Sequence, residues 1–230
     1  MELCIDSSTR YASVGVAHDN DVIAEVSWRS DRNHSAELVP RIRSIMKKAD
    51  LSIKDMDAVF VAQGPGGFSA LRVGISFAKS LAMARQIKLI GVDTLQIEAK
   101  PHIAFTGLVC AVIGAGRGRV YASHYTRGTL LQQAEVLPHE ELAQKLPERT
   151  LVCGEEACEL SIVWDSLGGK AVTFWDTEKP TRTVKSLSQL GYERLAQGDT
   201  DDLMVLQPTL IGSTQFTKAE QNRKRRTNAY

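Results

Sequence analysis

One stretch limits the fold more than any other. Ala58 to Ala62 is a run of five apolar residues, too short for a helix and suited to a buried strand. Gln63-Gly64-Pro65-Gly66-Gly67 then forces a turn, because glycine and proline punctuate regular structure. A long helix is predicted over Ser69–Arg85, where Val73, Gly74, Phe77, Ala78, Leu81 and Ala82 form an apolar stripe. Lys88 to Val92 is another buried strand. Strand, tight turn, helix and strand in immediate succession place the chain in the α/β class.

The flanking sequence extends that unit. Leu3-Cys4-Ile5, Ser13 to Ala17 and Val22 to Trp28 are three short β-rich runs. His18-Asp19-Asn20-Asp21 supplies Asn and Asp, which tolerate the left-handed backbone of a tight hairpin, so antiparallel pairing is expected. Leu38, Ile42, Ile45, Met46 and Ala49 recur at helical spacing, with Asn33 or Ser35 as the cap and Pro40 expected near the first turn. Asp93, three residues before Gln96, has the spacing of a capping residue for the next short helix, which Pro101 ends or kinks.

Strand signals restart beyond a boundary placed near residues 98–106. They cover Leu108 to Ile113, Val120 to Thr126 and Leu130 to Leu137, then Thr150 to Cys153 and Ala171 to Phe174. Pro138-His139-Glu140-Glu141 opens a helix with acids in its first turn, and Val184 to Ala196 is helical with Gly198 as its stop. The expected division is a domain over 1–100, a second over 101–212 and a basic flexible tail over 213–230. Both halves run in the same order of elements, but their sequence similarity is too weak to prove a duplication.

Composition excludes several classes. The 230 residues are 43% apolar and 24% charged, which argues against disorder. Lys and Arg total 28 against 27 Asp and Glu, so a fold-wide basic surface for nucleic acid is excluded. No apolar run approaches the ~20 residues that span a bilayer. Met1-Glu2-Leu3-Cys4-Ile5-Asp6 lacks the basic start of a signal peptide, and Cys4, Cys110, Cys153 and Cys158 form no C-x-x-C pair. A reduced, cytoplasmic protein without a membrane partner is expected.

Candidate chemistry is sparse. The glycine-rich turn before the long helix suits either a tight structural turn or an anion held on free N–H groups; it is no Walker A loop, since no Gly-Lys-Ser/Thr follows. Asp6 reads as a turn or cap residue, or as a lone magnesium ligand. His34 stands without a second helical His, so a capping or interface role fits better than a metal. No G-x-S-x-G elbow is present, and His102, His124 and His139 lack recognisable partners. Lys218 and Arg223-Lys224-Arg225-Arg226 suit either nucleic-acid phosphate or a solvated end.

Four segments in order are more specific: Asp6-Ser7-Ser8-Thr9, Asn33-His34-Ser35-Ala36-Glu37-Leu38-Val39-Pro40, Gly64-Pro65-Gly66-Gly67-Phe68-Ser69-Ala70-Leu71-Arg72-Val73-Gly74 and Gly91-Val92-Asp93-Thr94-Leu95. Over residues 1 to about 98 the chain resembles the TsaB (YeaZ) family of tRNA threonylcarbamoyladenosine biosynthesis. The second half resembles it only loosely, through Arg117-Gly118-Arg119-Val120-Tyr121.

The resemblance implies an α/β fold of two domains of the actin, sugar-kinase and Hsp70 (ASKHA) type, each a mixed sheet with helices. It implies a non-catalytic subunit that pairs with a TsaD-type threonylcarbamoyltransferase, joined by a TsaE-like ATPase and touching tRNA only indirectly. No cofactor is expected on the chain alone; ATP or ADP and Mg are expected at most in the complex. A shared interface, for the partner or for a homodimer, is expected at His34, Leu38, Ile42, Ile45, Phe68, Leu71, Arg72, Ile75, Ala78 and Ala82. A nucleotide phosphate would meet Asp6, Ser7, Ser8 and Thr9.

Two departures stand out. The family's usual Asp-Ala-Arg-x-Gly-Glu-Val-Tyr reads Gly114-Ala115-Gly116-Arg117-Gly118-Arg119-Val120-Tyr121, and its Pro-x-Tyr-Leu-Arg reads Pro208-Thr209-Leu210-Ile211-Gly212. Alternatives from other classes are a stand-alone ATPase or phosphotransferase of the same fold, disfavoured by the missing glycine after Asp6 and the missing second acid, and an M22-type peptidase, disfavoured by its missing metal ligands.

Overall fold

The computed structural model describes residues 1–168, 171–175 and 179–212. The first sheet begins with β1 (Glu2–Asp6), β2 (Tyr11–His18) and β3 (Asp21–Arg29), an antiparallel meander in which Ile5 faces Val14. Asp19 and Asn20 make its hairpin, with φ of 47° and 74°, as their tolerance for the left-handed region allows. Then β4 (Ala58–Gly64) pairs in parallel with β1, and β5 (Lys88–Asp93) in parallel with β4, giving the order β3-β2-β1-β4-β5.

The second sheet repeats the plan. It holds β6 (Leu108–Gly114), β7 (Arg119–Thr126), β8 (Thr129–Pro138), β9 (Thr150–Cys153) and β10 (Val172–Phe174), ordered β10-β9-β6-β7-β8. Read from the other end, this is the first sheet's order. The senses match too: β6, β7 and β8 are antiparallel, while β9 and β10 are parallel additions. The two halves, too dissimilar in sequence to prove a duplication, thus share one topology.

Helices cover both faces of the first sheet. Its Leu3, Ile5, Val59 and Val61 pack against α1 (His34–Lys48) and α2 (Phe68–Arg85). Cys4, Phe60 and Ala62 point the other way, as strand alternation dictates, and meet α6 (Val184–Ala196) with Ile97 of α3 (Thr94–Ala99). Leu95 and Ala99 of α3 also join Val109, Ala111 and Ile113 of β6, so α3 links the two halves. The far face of the second sheet carries α4 (His139–Lys145) and α5 (Ala157–Ser166) on Cys110, Val112 and Val152.

Several expectations change. The second unit does not keep residues up to 212. Instead α6 packs on the first sheet, and Leu206 lies in the core beneath α1 and α2. The Thr209 N–H donates to the Gln63 carbonyl at 2.9 Å, and the Asp201 N–H to the Leu89 carbonyl at 2.9 Å. Helix α5 has no clear sequence signal, because exposed Ile162 interrupts the stripe of Ala157, Leu160 and Trp164. Asn33 precedes α1 without a side-chain cap bond. Pro40 sits in the second turn, opposite an Ala36 carbonyl on the exposed face, where water can satisfy it. Asp93 does cap α3, accepting from the Gln96 N–H at 2.9 Å. The expected tail lies outside the described residues.

Candidate functional site

The end of β1 meets the second half at a buried polar knot. Asp6 accepts from the Ser8 N–H at 2.8 Å and the Ser8 hydroxyl at 2.6 Å through Oδ1. Its Oδ2 accepts from Arg182 Nε at 2.7 Å. The same guanidinium donates to Glu98 Oε1 at 2.6 Å, to Thr9 Oγ1 at 2.5 Å and to the Tyr11 carbonyl at 3.2 Å. Glu155 Oε2 stands 3.5 Å from it and accepts the Thr9 hydroxyl at 2.8 Å. Glu98 also takes the Thr181 hydroxyl at 2.7 Å and the Arg182 N–H at 2.5 Å.

One cation therefore serves three carboxylates, with its side chain only 2% exposed. Burial opposes its charge, but Asp6, Glu98 and Glu155 outweigh that and hold the guanidinium more firmly protonated than usual. Burial pushes the Glu98 carboxyl up, against the pull of Arg182 and Thr181. Nothing in the sequence around Arg182 signalled this role, since its partners lie far away along the chain.

This packing decides what Asp6, Ser7, Ser8 and Thr9 can do. All four are buried. The Ser7 hydroxyl donates to the Ala70 carbonyl at 2.8 Å, and the Ser8 carbonyl accepts from the Gly67 N–H at 2.7 Å. Gly66 lies so close that a Cβ there would sit 2.2 Å from the Ser8 oxygen, which is why only glycine fits. The glycine turn and the Asp6 turn thus fill each other's anion space. Where a divalent cation would meet Asp6, a guanidinium already sits.

His34 also turns inward, its Nε2 2.8 Å from the Thr9 carbonyl, so that nitrogen carries the proton and steadies the same turn. A cavity of about 690 Å³ opens beside it, lined by Arg10, Arg32 and the start of α2. A second of about 800 Å³ lies along Asp6, Trp28, Pro180 and Arg182.

The expected interface changes most. Leu38, Ile42, Ile45, Leu71, Ile75, Ala78 and Ala82 are buried in the first sheet's own core, because the apolar stripes of α1 and α2 are the faces those helices turn to the sheet. None of them is available to a partner. Phe68, 48% exposed, and Arg72, whose guanidinium lies 5.5 Å from the Phe68 ring, remain on the surface.

Two groups among the described residues bring three metal-ligating side chains together: Glu2, His18 and Asp19, and His139, Glu156 and Glu159. The Met1 ammonium already stands 3.9 Å from Glu2. The second group lies beside Gly114, where a Cβ would fall 2.6 Å from Glu156 Oε1, so the Glu156 carboxylate occupies the space a side chain at 114 would need. Burial and the neighbouring Glu159 and Glu155 charges push Glu156 up to about 7.

Comparison with known proteins bears on this arrangement. The model of the family described as TsaD, tRNA N6-adenosine threonylcarbamoyltransferase, matches residues 22–146, a little over half of the chain. The tRNA threonylcarbamoyladenosine biosynthesis protein TsaB of Bacillus subtilis is 32% identical over 132 residues, 57% of this chain and 58% of that protein. TsaB of Escherichia coli is 33% identical over 127 residues, 54% of each.

The chain belongs to the TsaB (YeaZ) family.

The matched region spans a little over half the length of these curated relatives. The fold agrees over nearly the whole chain. YeaZ from Pseudomonas aeruginosa superposes with a TM-score of 0.74 at 23% identity, covering 90% of this chain and 99% of that one. The ethanolamine utilization protein EutJ from Carboxydothermus hydrogenoformans gives 0.53 at 14% identity, covering 82% and 89%. The architecture is the ASKHA fold. Among the described residues no helix is long and apolar enough to cross a membrane.

Proposed function

We propose that this chain is a non-catalytic, cytoplasmic subunit of the tRNA threonylcarbamoyladenosine machinery, pairing with and activating a TsaD-type transferase. One observation carries the non-catalytic part: Arg182 neutralises Asp6 at the 2.7 Å contact that a metal or phosphate site would need free. The filled space between Gly66 and Ser8 supports the same reading. Family membership supports the assignment to this modification pathway. The reading leaves nucleotide and Mg to the assembled complex, with a TsaE-like ATPase as third component and tRNA contacted through the partners.

The docking face is the solvent side of α1 and α2, entered at Phe68 and Arg72 and shared with a second copy of the chain when the partner is absent. The test is affinity capture of the host's TsaD with the wild-type chain and with the Phe68→Ser, Arg72→Glu double variant. Capture by the wild type and its loss in the folded variant are expected. Failure of the wild type to bind TsaD would overturn the pairing. ATP turnover by the isolated chain that disappears in Asp6→Ala would favour a stand-alone ATPase instead.

A further inference from the structure

His139, the first residue of α4, is tied beneath the β6–β7 turn by its backbone N–H, which donates to the Gly118 carbonyl at 3.1 Å. Glu156 is the N-cap of α5, and Glu159 follows one turn later on the same side of that helix. One ligating atom from each of the three residues lies within 4.8 Å of the others. The residue His139 is only 9% exposed, and its Nε2 is buried without a hydrogen-bond partner. That nitrogen faces Glu156 Oε2 at 3.4 Å.

The distance discriminates between two arrangements. A charge-assisted hydrogen bond would close to about 2.8 Å. Two ligands of a tetrahedral ion with bonds of about 2.1 Å stand about 3.4 Å apart. The 3.4 Å spacing of His139 and Glu156 therefore matches that of two ligands on one ion. Gly114 presents bare backbone here, leaving room for the Glu156 carboxylate. Glu159 and Glu155 both repel that carboxylate, Glu159 also shares a hydrogen bond with it, and Arg10 opposes the repulsion.

We propose that His139, Glu156 and Glu159 bind one divalent transition-metal ion, with zinc the best fit. An imidazole with two carboxylates suits zinc or manganese, whereas magnesium prefers oxygen ligands and water. Buried His139 and partly buried Glu156 form the floor, and exposed Glu159 forms the rim through which the ion enters. Three protein ligands leave a coordination position for water or for a group from a bound partner. Both α4 and α5 begin at this point, and their positive ends oppose a cation, so the affinity is expected in the micromolar range rather than tighter.

The full chain, stripped with a chelator, is titrated with zinc sulfate by calorimetry, beside manganese and magnesium chlorides. One zinc per chain is expected, with manganese weaker and magnesium silent. His139→Ala and Glu159→Gln should each weaken zinc at least about tenfold. Glu159 is exposed, so Glu159→Gln retains the fold, which circular dichroism checks. Cys158→Ser should bind zinc like the wild type. Absence of zinc binding, unchanged affinity in Glu159→Gln, or loss of binding in Cys158→Ser would each overturn the site.

Discussion

Replacing Arg182 with Met keeps most of the stem's volume and removes the charge that serves Asp6, Glu98 and Glu155. Asp6 loses a 2.7 Å partner and Glu98 a 2.6 Å partner, both among side chains no more than 5% exposed. Asp6 retains its two bonds from Ser8, and Glu98 retains Thr181 and the backbone N–H of residue 182, so part of the solvation survives. Breaking a buried pair by removing one partner costs about 3–5 kcal/mol, and two strong pairs share this guanidinium. Set against a total stability of about 5–15 kcal/mol, the variant should be severely weakened yet measurable by urea unfolding at neutral pH.

Burial already raises the Glu98 carboxyl against the pull of Arg182, so without Arg182 it is easier still to protonate in the folded chain than in the unfolded one. Carboxyl groups raised on folding penalise the native state above their folded pKa and release that penalty as pH falls. The loss should therefore be largest near pH 8 and shrink towards about pH 5. Adding Glu98→Gln to Arg182→Met should recover part of it at the higher pH. A loss below about 1 kcal/mol, typical of a surface pair, or a loss equal at both pH values would refute a buried, charge-coupled knot.

Asp93, pushed up to about 6 by burial, penalises the fold above that pH and ceases to do so as pH falls towards its unfolded value. Asp93→Asn keeps a capping oxygen, so denaturant unfolding should find it at least as stable as wild type above about pH 6, with the advantage fading towards about pH 4. Gly66→Ala drives a Cβ to 2.2 Å from the Ser8 carbonyl and should cost about 1–3 kcal/mol in urea unfolding. At Gly116, φ is +71° with nothing near the added carbon, so Gly116→Ala should cost only about 1 kcal/mol of backbone strain. Ala78 faces its own sheet with no exposure, so Ala78→Arg should lose helical circular dichroism rather than merely lose a partner.

Near-neighbour chemistry was legible in the residues themselves. Asp19-Asn20 supplied the left-handed pair of a hairpin, Asp93 the cap of α3, and the spacing of Leu187 and Leu190 the helix Val184–Ala196. These depend on backbone sterics and side chains within one turn, which a sequence displays directly. The apolar stripes of α1 and α2 were equally visible, but a stripe says only that something covers it. The structure shows that their own sheet does. Arg182 comes to Asp6 across 176 positions, α6 crosses back to the first sheet, and Glu156 fills the space beside Gly114 from another element. Such meetings follow from the order in which strands add to the two sheets. Topology sets them through the summed burial of many side chains, so no local pattern records them.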